Sequence, residues 1–459
     1  MQDFLIKLMD YARSLGVDFA DARMERVERT LITIQDGVLK ELKTGIEEGV
    51  AIRVLYRGAW GFASSSDLAF DSLKKALENA YAAAKTLSFH VRKPARIVEL
   101  PAKTDSVKAS LKKDPRNIAV DIKIKDYIEY EKLLREKDFV KSTTVYYADI
   151  VGSTFYASTE DRYIEQERVI TWMYTWLTGR INDIVASVRD ERGAVDGYTI
   201  WDKWDKNKIA EYVAGKLEKQ LKAKTPKGGV YPAVLAPEIV GVFVHEAFGH
   251  LAEADLTMSG SAISDKLGKE IASPLVTIVD DPTIPGGFGT FKYDDEGVET
   301  RKAVLIEKGV VKELMVDRQY AATLGIKPTG NARAESFKVP PLIRMRNTIL
   351  VPGDYDKEEL FEDIKYGYYL VSFRGGQANL DGTFQVGVQE AYEIVNGEIG
   401  DPIRNMSISG NTLDTLKEVD AVAKDFELEL GRCGKGQLAY VSDGGPHIRV
   451  RKIVIGGAR

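Results

Sequence analysis

Two-residue turns set the tightest limit on what this chain can fold into. Asp36-Gly37 separates the runs "TLITIQ" and "VLKEL", and Asn396-Gly397 separates "EAYEIV" and "EIGDPI". Two-residue hairpin loops of type I′ need positive φ at both central positions, which Asp-Gly and Asn-Gly supply at little cost. Arg57-Gly58 punctuates "VAIRVLY" and "AWGFASS" in the same manner. Strands joined so tightly must be antiparallel neighbours. Three or four antiparallel strands are therefore expected between residues 30 and 66.

Helical periodicity appears between such runs. Phe4, Leu5, Leu8, Met9, Ala12 and Leu15 recur at helical spacing. Residues 66 to 87 predict a second helix, capped by Ser65 or Ser66. Further helices are expected over about 118 to 138 and 203 to 223. Residues 91 to 115 are rich in Lys and Pro and read as an exposed connection. Along "RVITWMYTWLTG", Ile170, Trp172, Tyr174 and Trp176 share one strand face. The expectation is a sheet face packed under a helix, with a ligand-stacking stripe as the alternative.

The stretch "LKAKTPKGG" makes a boundary of Lys, Pro and Gly. It divides the chain into residues 1–225, helices on antiparallel sheet, and residues 226–459, mainly β with Gly-rich loops. The fold class is α+β, with a metal-binding helix expected in the second domain.

Composition excludes several functions. Cys433 is the one cysteine among 459 residues, so no disulfide forms within the chain, and a reducing cytoplasm is expected. The formal net charge of −5 and the absence of a long basic run argue against a nucleic-acid partner. No apolar stretch approaches the ~18 residues of a membrane span, and the amphipathic N-terminus does not read as a secretion signal. A soluble, cytoplasmic protein with no membrane partner is the expectation.

Chemistry concentrates in "GVFVHEAFGHLAEAD", residues 241 to 255. His245 and His250 offer two zinc ligands, and Glu246 offers a general base beside them. Their spacing is awkward. At roughly 100° per residue, an i, i+5 pair sits about 140° apart around a regular α-helix, too far to share one ion. A π-bulge would absorb the extra residue, and Gly249 permits such distortion or an early helix end. The alternative is two unrelated histidines on a partly buried helix. Candidates for a third ligand are Glu253, Asp255 and the distant Cys433 in "GRCGKGQ", which also reads as a small buried apolar residue. His447, in "GGPHIRV", is a weaker candidate for transition-state stabilisation, and His90 reads as exposed. "PGGFGT" lacks the strand-to-helix context of a dinucleotide loop, and no nucleophile elbow is present.

With "HEAFGH" joined to "CGKGQ", the sequence resembles the TldD/PmbA family of proteases. "DDPTIPGGFGTFKYDDEGVET", "PTGNARAESFKVPPLIRMRNT" and "FRGGQANLDGTFQVGVQEAYEIVNGEIGDPIRN" fit the same pattern, and so does the N-terminal "GVDFADARMERVERTLITIQDG". The resemblance covers nearly the whole chain. It implies a TldD-type subunit, the kind that carries HExxxH and binds zinc, with Cys433 as third ligand beside His245 and His250. It also makes the five-residue spacing the family's normal form. The implied activity is zinc-dependent hydrolysis of unfolded or short peptides, with Glu246 as general base. The implied partner is a TldE/PmbA-type subunit or a second copy of the chain. A name as modulator of DNA gyrase also attaches to the family, but the charge balance supports no direct DNA binding. Two other readings stay open: a non-catalytic binding or scaffold protein with a structural zinc, and an amidase acting on small molecules.

Overall fold

The computed structural model describes residues 2–457. Seven strands build the first sheet: β1 (Phe19–Gln35), β2 (Val38–Tyr56), β3 (Ala59–Ser65), β4 (Lys103–Val107), β5 (Val140–Ser158), β6 (Arg162–Ile181) and β7 (Ile184–Ala194). Their order is β3-β2-β1-β5-β6-β4, with β7 also on β6. Every ladder is antiparallel except β4 with β6. The turns at Asp36-Gly37 and Arg57-Gly58 have positive φ at all four residues, between 47° and 83°. That geometry matches the right-handed twist of the strands they join.

Helices cover one face of this sheet in two groups. α1 (Gln2–Ser14) and α2 (Phe70–Ser88) pack over Ala20, Ala22 and Met24 of β1. α3 (Val120–Leu134), α4 (Ile200–Lys203) and α5 (Lys206–Lys222) border a core that includes Ile32 and Ile34 further along the same strand. The even numbering of both sets puts them on one face. α2 starts at Phe70, later than the serines suggested, because Ser65 Oγ bonds the Asp67 backbone and Asp67 Oδ1 accepts from Ala69 N.

The aromatic stripe is not under a helix. Met173 and Leu177, the alternate residues of β6, face the helical core. Trp172 instead packs with Phe288, Leu430 and Tyr440 from the second half of the chain, and Trp176 is exposed. Buried ion pairs join the same sheet to that half. Arg53 Nη1 lies 2.8 Å from Glu296, and Arg23 Nη1 lies 3.1 Å from Asp295.

The second half holds two larger sheets. The strands are β8 (Gly229–Leu235), β9 (Ile278–Asp280), β10 (Ala303–Glu307), β11 (Val310–Val311), β12 (Ala332–Arg333), β13 (Leu342–Ile343), β14 (Asn347–Leu350), β15 (Tyr366–Ala378), β16 (Thr383–Val395), β17 (Glu398–Ile403), β18 (Met406–Asn411), β19 (Val419–Val422), β20 (Glu427–Lys435), β21 (Gln437–Gly445) and β22 (Ile448–Gly457). One sheet runs β11-β10-β9-β14-β21-β20. The other runs β15-β8-β22-β18-β16, and β15 pairs back onto β16, which closes a barrel. β12 and β13 form a small separate ladder. The segment after β8 is buried where these sheets meet. Phe243, Val244, Ala247, Phe248 and Leu251 share one core with barrel residues Leu370 and Ile408 and with Ile278 and Val441 of the six-stranded sheet. Among the described residues, no helix is long and apolar enough to cross a membrane.

Candidate metal centre

Pro237 opens α6 (Pro237–Val242), where its missing N–H leaves no hydrogen bond unmade. The regular helix then stops. A π-helical turn spans Phe243–Phe248, and a 3-10 turn follows over Gly249–Ala252. This is the distortion that the five-residue spacing requires: the wider turn brings His250 round towards His245, with ring centroids 5.4 Å apart. The packing around it is close. A Cβ on Gly249 would lie 2.1 Å from Met345 Sδ, so nothing larger than glycine fits without moving Met345. Likewise a Cβ on Gly241 would stand 2.4 Å from Asp443 Oδ1, which lets α6 press against β21.

Cys433 arrives from β20, on a tight hairpin whose turn residue Gly436 has φ +69°. Its Sγ lies 3.3 Å from His250 Nε2. Donor atoms of His245, His250 and Cys433 all fall within 4.8 Å of one another. His245 and Cys433 are buried and His250 is half-buried. Glu246 stands at the edge of the cluster, its side chain 30% exposed and its Oε2 3.8 Å from His250 Nε2.

The other third-ligand candidates are engaged elsewhere. Glu253 Oε2 sits behind His250, 2.8 Å from Nδ1, and Asp255 pairs with Lys435 at 2.7 Å. His447 is held away from the cluster by Asp425 on Nδ1 and by Tyr369 on Nε2, at 2.6 Å and 2.9 Å. Burial holds its pKa below the usual histidine value. His90 is exposed after α2.

Electrostatics favour a ligand-ready thiolate. Burial alone would raise the Cys433 thiol, but the His245 and His250 rings outweigh it and pull it down to about 5. Burial opposes charge on both imidazoles as well. Cys433 and then Glu246 nevertheless lift His245 to about 9, and Glu253 with Cys433 lifts His250 to about 10. Burial would also raise Glu253, yet the facing His250 and Lys435 hold it below the ordinary carboxylate value.

This donor set suits zinc. Two imidazole nitrogens and one thiolate sulfur match the three protein ligands of a catalytic zinc site. Among the described residues, His245 Nδ1 is moreover a buried polar atom with no hydrogen-bond partner, and such an atom calls for one. Beside the cluster lies a cavity of about 250 Å³ that reaches His245 and Glu246. It is walled by Arg189 and Glu191 of β7, Lys216 of α5, Glu238 of α6 and Asp443 of β21. Burial pushes the Asp443 carboxyl up to about 7. No local sequence motif marks these residues, because they are gathered from four separate elements, with Arg189 and Glu191 both on β7.

Models of three domains match the chain: PmbA/TldA metallopeptidase domain 1 at residues 20–84, the central domain at 113–222 and the C-terminal domain at 228–457. A zinc metalloprotease TldD homolog of Saccharolobus solfataricus is 40% identical over 456 residues, covering 99% of this chain and 100% of that protein. A metalloprotease of Methanocaldococcus jannaschii is 38% identical over 436 residues, covering 94% and 96%. Among solved structures, TldE from Thermococcus kodakarensis superposes with a TM-score of 0.79 at 22% identity, over 99% of this chain and 100% of that one. A Thermotoga maritima structure gives 0.82 at 22% identity over 99% of both chains, so the fold is shared from end to end.

Proposed function

The chain belongs to the PmbA/TldD family and is a metallopeptidase; we propose that it uses zinc held by His245, His250 and Cys433 to hydrolyse short or unfolded peptides. The observation that carries this reading is the convergence of those three donor atoms from two segments 183 residues apart. Zinc in such a set supplies Lewis-acid polarisation of a carbonyl and acidifies water. The residues around it do the rest. Glu246 takes a proton from the attacking water and returns it to the leaving amine, a role suited to a carboxylate that is partly exposed and close to the ligands but not among them. The Cys433 thiolate donates charge, so the site is less electrophilic than one with three neutral ligands, and modest turnover is expected.

The edge of the six-stranded sheet supports a peptide substrate. β20, which carries Cys433, ends the strand order. An extended peptide added along that edge would be held by main-chain hydrogen bonds, with little demand on sequence. The 250 Å³ cavity beside the cluster is too small to admit a folded domain. The match in fold to TldE supports assembly with a TldE-type subunit or with a second copy. Metal analysis tests the assignment: His245→Ala and Cys433→Ser should each lose zinc and peptide cleavage together. Full zinc content and activity in Cys433→Ser would overturn it.

A further inference from the structure

Glu253 has no part in the mechanism above, yet its carboxylate is fully buried beside the cluster. A charge buried so deeply needs partners. Glu253 Oε2 has two: His250 Nδ1 at 2.8 Å and Lys435 Nζ at 3.2 Å. Lys435 also pairs with Asp255 at 2.7 Å and donates to the Ile343 carbonyl at 2.9 Å. The sequence spacing explains the convergence. Lys435 lies two residues after Cys433, and residues i and i+2 of a strand share a face. The side chains of Cys433 and Lys435 therefore leave β20 on the same side, one to the imidazoles and one to the carboxylate behind them. Glu253 follows His250 by three residues, within the reach of one turn.

We infer that Glu253 and Lys435 are positioning residues that set the two halves of the ligand cluster against each other. Glu253 accepts from Nδ1–H of His250, which fixes the ring orientation and leaves Nε2 directed at Cys433 and Glu246. Lys435 neutralises Glu253 and thereby holds the hairpin that carries Cys433 to the segment that carries His250. Arg344 completes the clamp on the hairpin side, donating to the Cys433 carbonyl at 2.7 Å. The two histidines are thus not equivalent. His250 is braced through Nδ1 by a buried carboxylate, whereas no hydrogen bond among the described residues braces His245 Nδ1. Outer carboxylates of this kind typically contribute 10–100-fold to metal affinity.

This inference rests on the metal reading of the site, and the test separates the two. Zinc affinity is measured on the full chain by competition with a chromophoric chelator, for wild type, Glu253→Gln, Glu253→Ala, Lys435→Met and the Glu253→Ala/Lys435→Met double variant. Urea denaturation of each metal-free protein establishes that it is folded. Glu253→Ala and Lys435→Met should each weaken zinc binding about 10–100-fold. Glu253→Gln keeps an oxygen for Nδ1–H and should recover part of the loss. The double variant should lose less than the two single losses combined, because both act on one contact. In zinc-loaded wild type the His250 Nδ1–H proton should exchange slowly in nitrogen-edited NMR, and in Glu253→Ala that protection should vanish. Affinities within about threefold of wild type in folded variants, or an Nδ1–H equally protected without Glu253, would overturn the inference. Failure of wild type itself to bind zinc would instead overturn the metal reading.

Discussion

Replacing Glu246 by Gln separates catalysis from metal binding. The change keeps shape and polarity but removes the basic oxygen. General acid–base catalysis contributes ~10²–10⁴ in rate, or about 3–5 kcal/mol at 1.36 kcal/mol per decade. Little else should change. Glu246 stands 3.8 Å from His250, its side chain 30% exposed, and its ion pair is the partly solvated kind worth ~1 kcal/mol or less to the fold. It is not one of the three converging donors. Glu246→Gln is therefore expected to lose ~10²–10⁴ in kcat while keeping KM, zinc content and melting temperature near wild type. The assay is steady-state cleavage of an unstructured fluorogenic peptide, with zinc measured on the same preparation. Activity within about tenfold of wild type would refute the general-base role. Loss of zinc in step with loss of activity would show instead that Glu246 holds the metal.

Gly249→Ala should cost about 1–3 kcal/mol of stability in denaturant melts, as overpacking does, because its Cβ meets Met345 Sδ at 2.1 Å; most of that cost should disappear in a Met345→Ala background. Zinc uptake near neutral pH should release ~2 protons per ion, one from each imidazole. His245 and His250 stand at about 9 and 10 and must lose protons to coordinate, while the Cys433 thiol, at about 5, has already lost its own. Apparent zinc affinity should accordingly rise with pH through that range, and calorimetry in buffers of different ionisation enthalpy checks the count. Arg53→Met should destabilise by ~3–5 kcal/mol in urea, since it strips Asp21 and Glu296 of the buried guanidinium that lies 3.0 Å from one and 2.8 Å from the other.

Local chemistry was legible wherever a few consecutive residues decide the outcome. Asp36-Gly37 and Asn396-Gly397 announce hairpins because few other pairs tolerate positive φ twice. The misfit of His245 and His250 to a regular helix is itself readable as a distorted one, and the π-helical turn supplies it. Long-range pairing left no such trace. β8 lies parallel to β15, and β14 parallel to β21, across loops whose sequences do not name their partners. Period-two alternation puts Trp172 and Trp176 on one face of β6, but it cannot say which face the helices cover; that follows from the alternate set, Met173 and Leu177, and from where α3 and α5 dock. Spacing alone leaves Glu253, Asp255 and Cys433 open as third-ligand candidates, with Cys433 also reading as a small buried apolar residue. What separates them is Lys435, which engages both acids from the same strand that brings in the thiol.

X-ray absorption at the zinc edge bears most directly on the claim that these residues form a metal centre. Purified protein should contain one zinc per chain, with a first shell of two imidazole nitrogens, one sulfur and a light oxygen or nitrogen scatterer. The sulfur should vanish in Cys433→Ser. A shell without sulfur in the wild type, or protein that binds no zinc when it is supplied, would contradict the account.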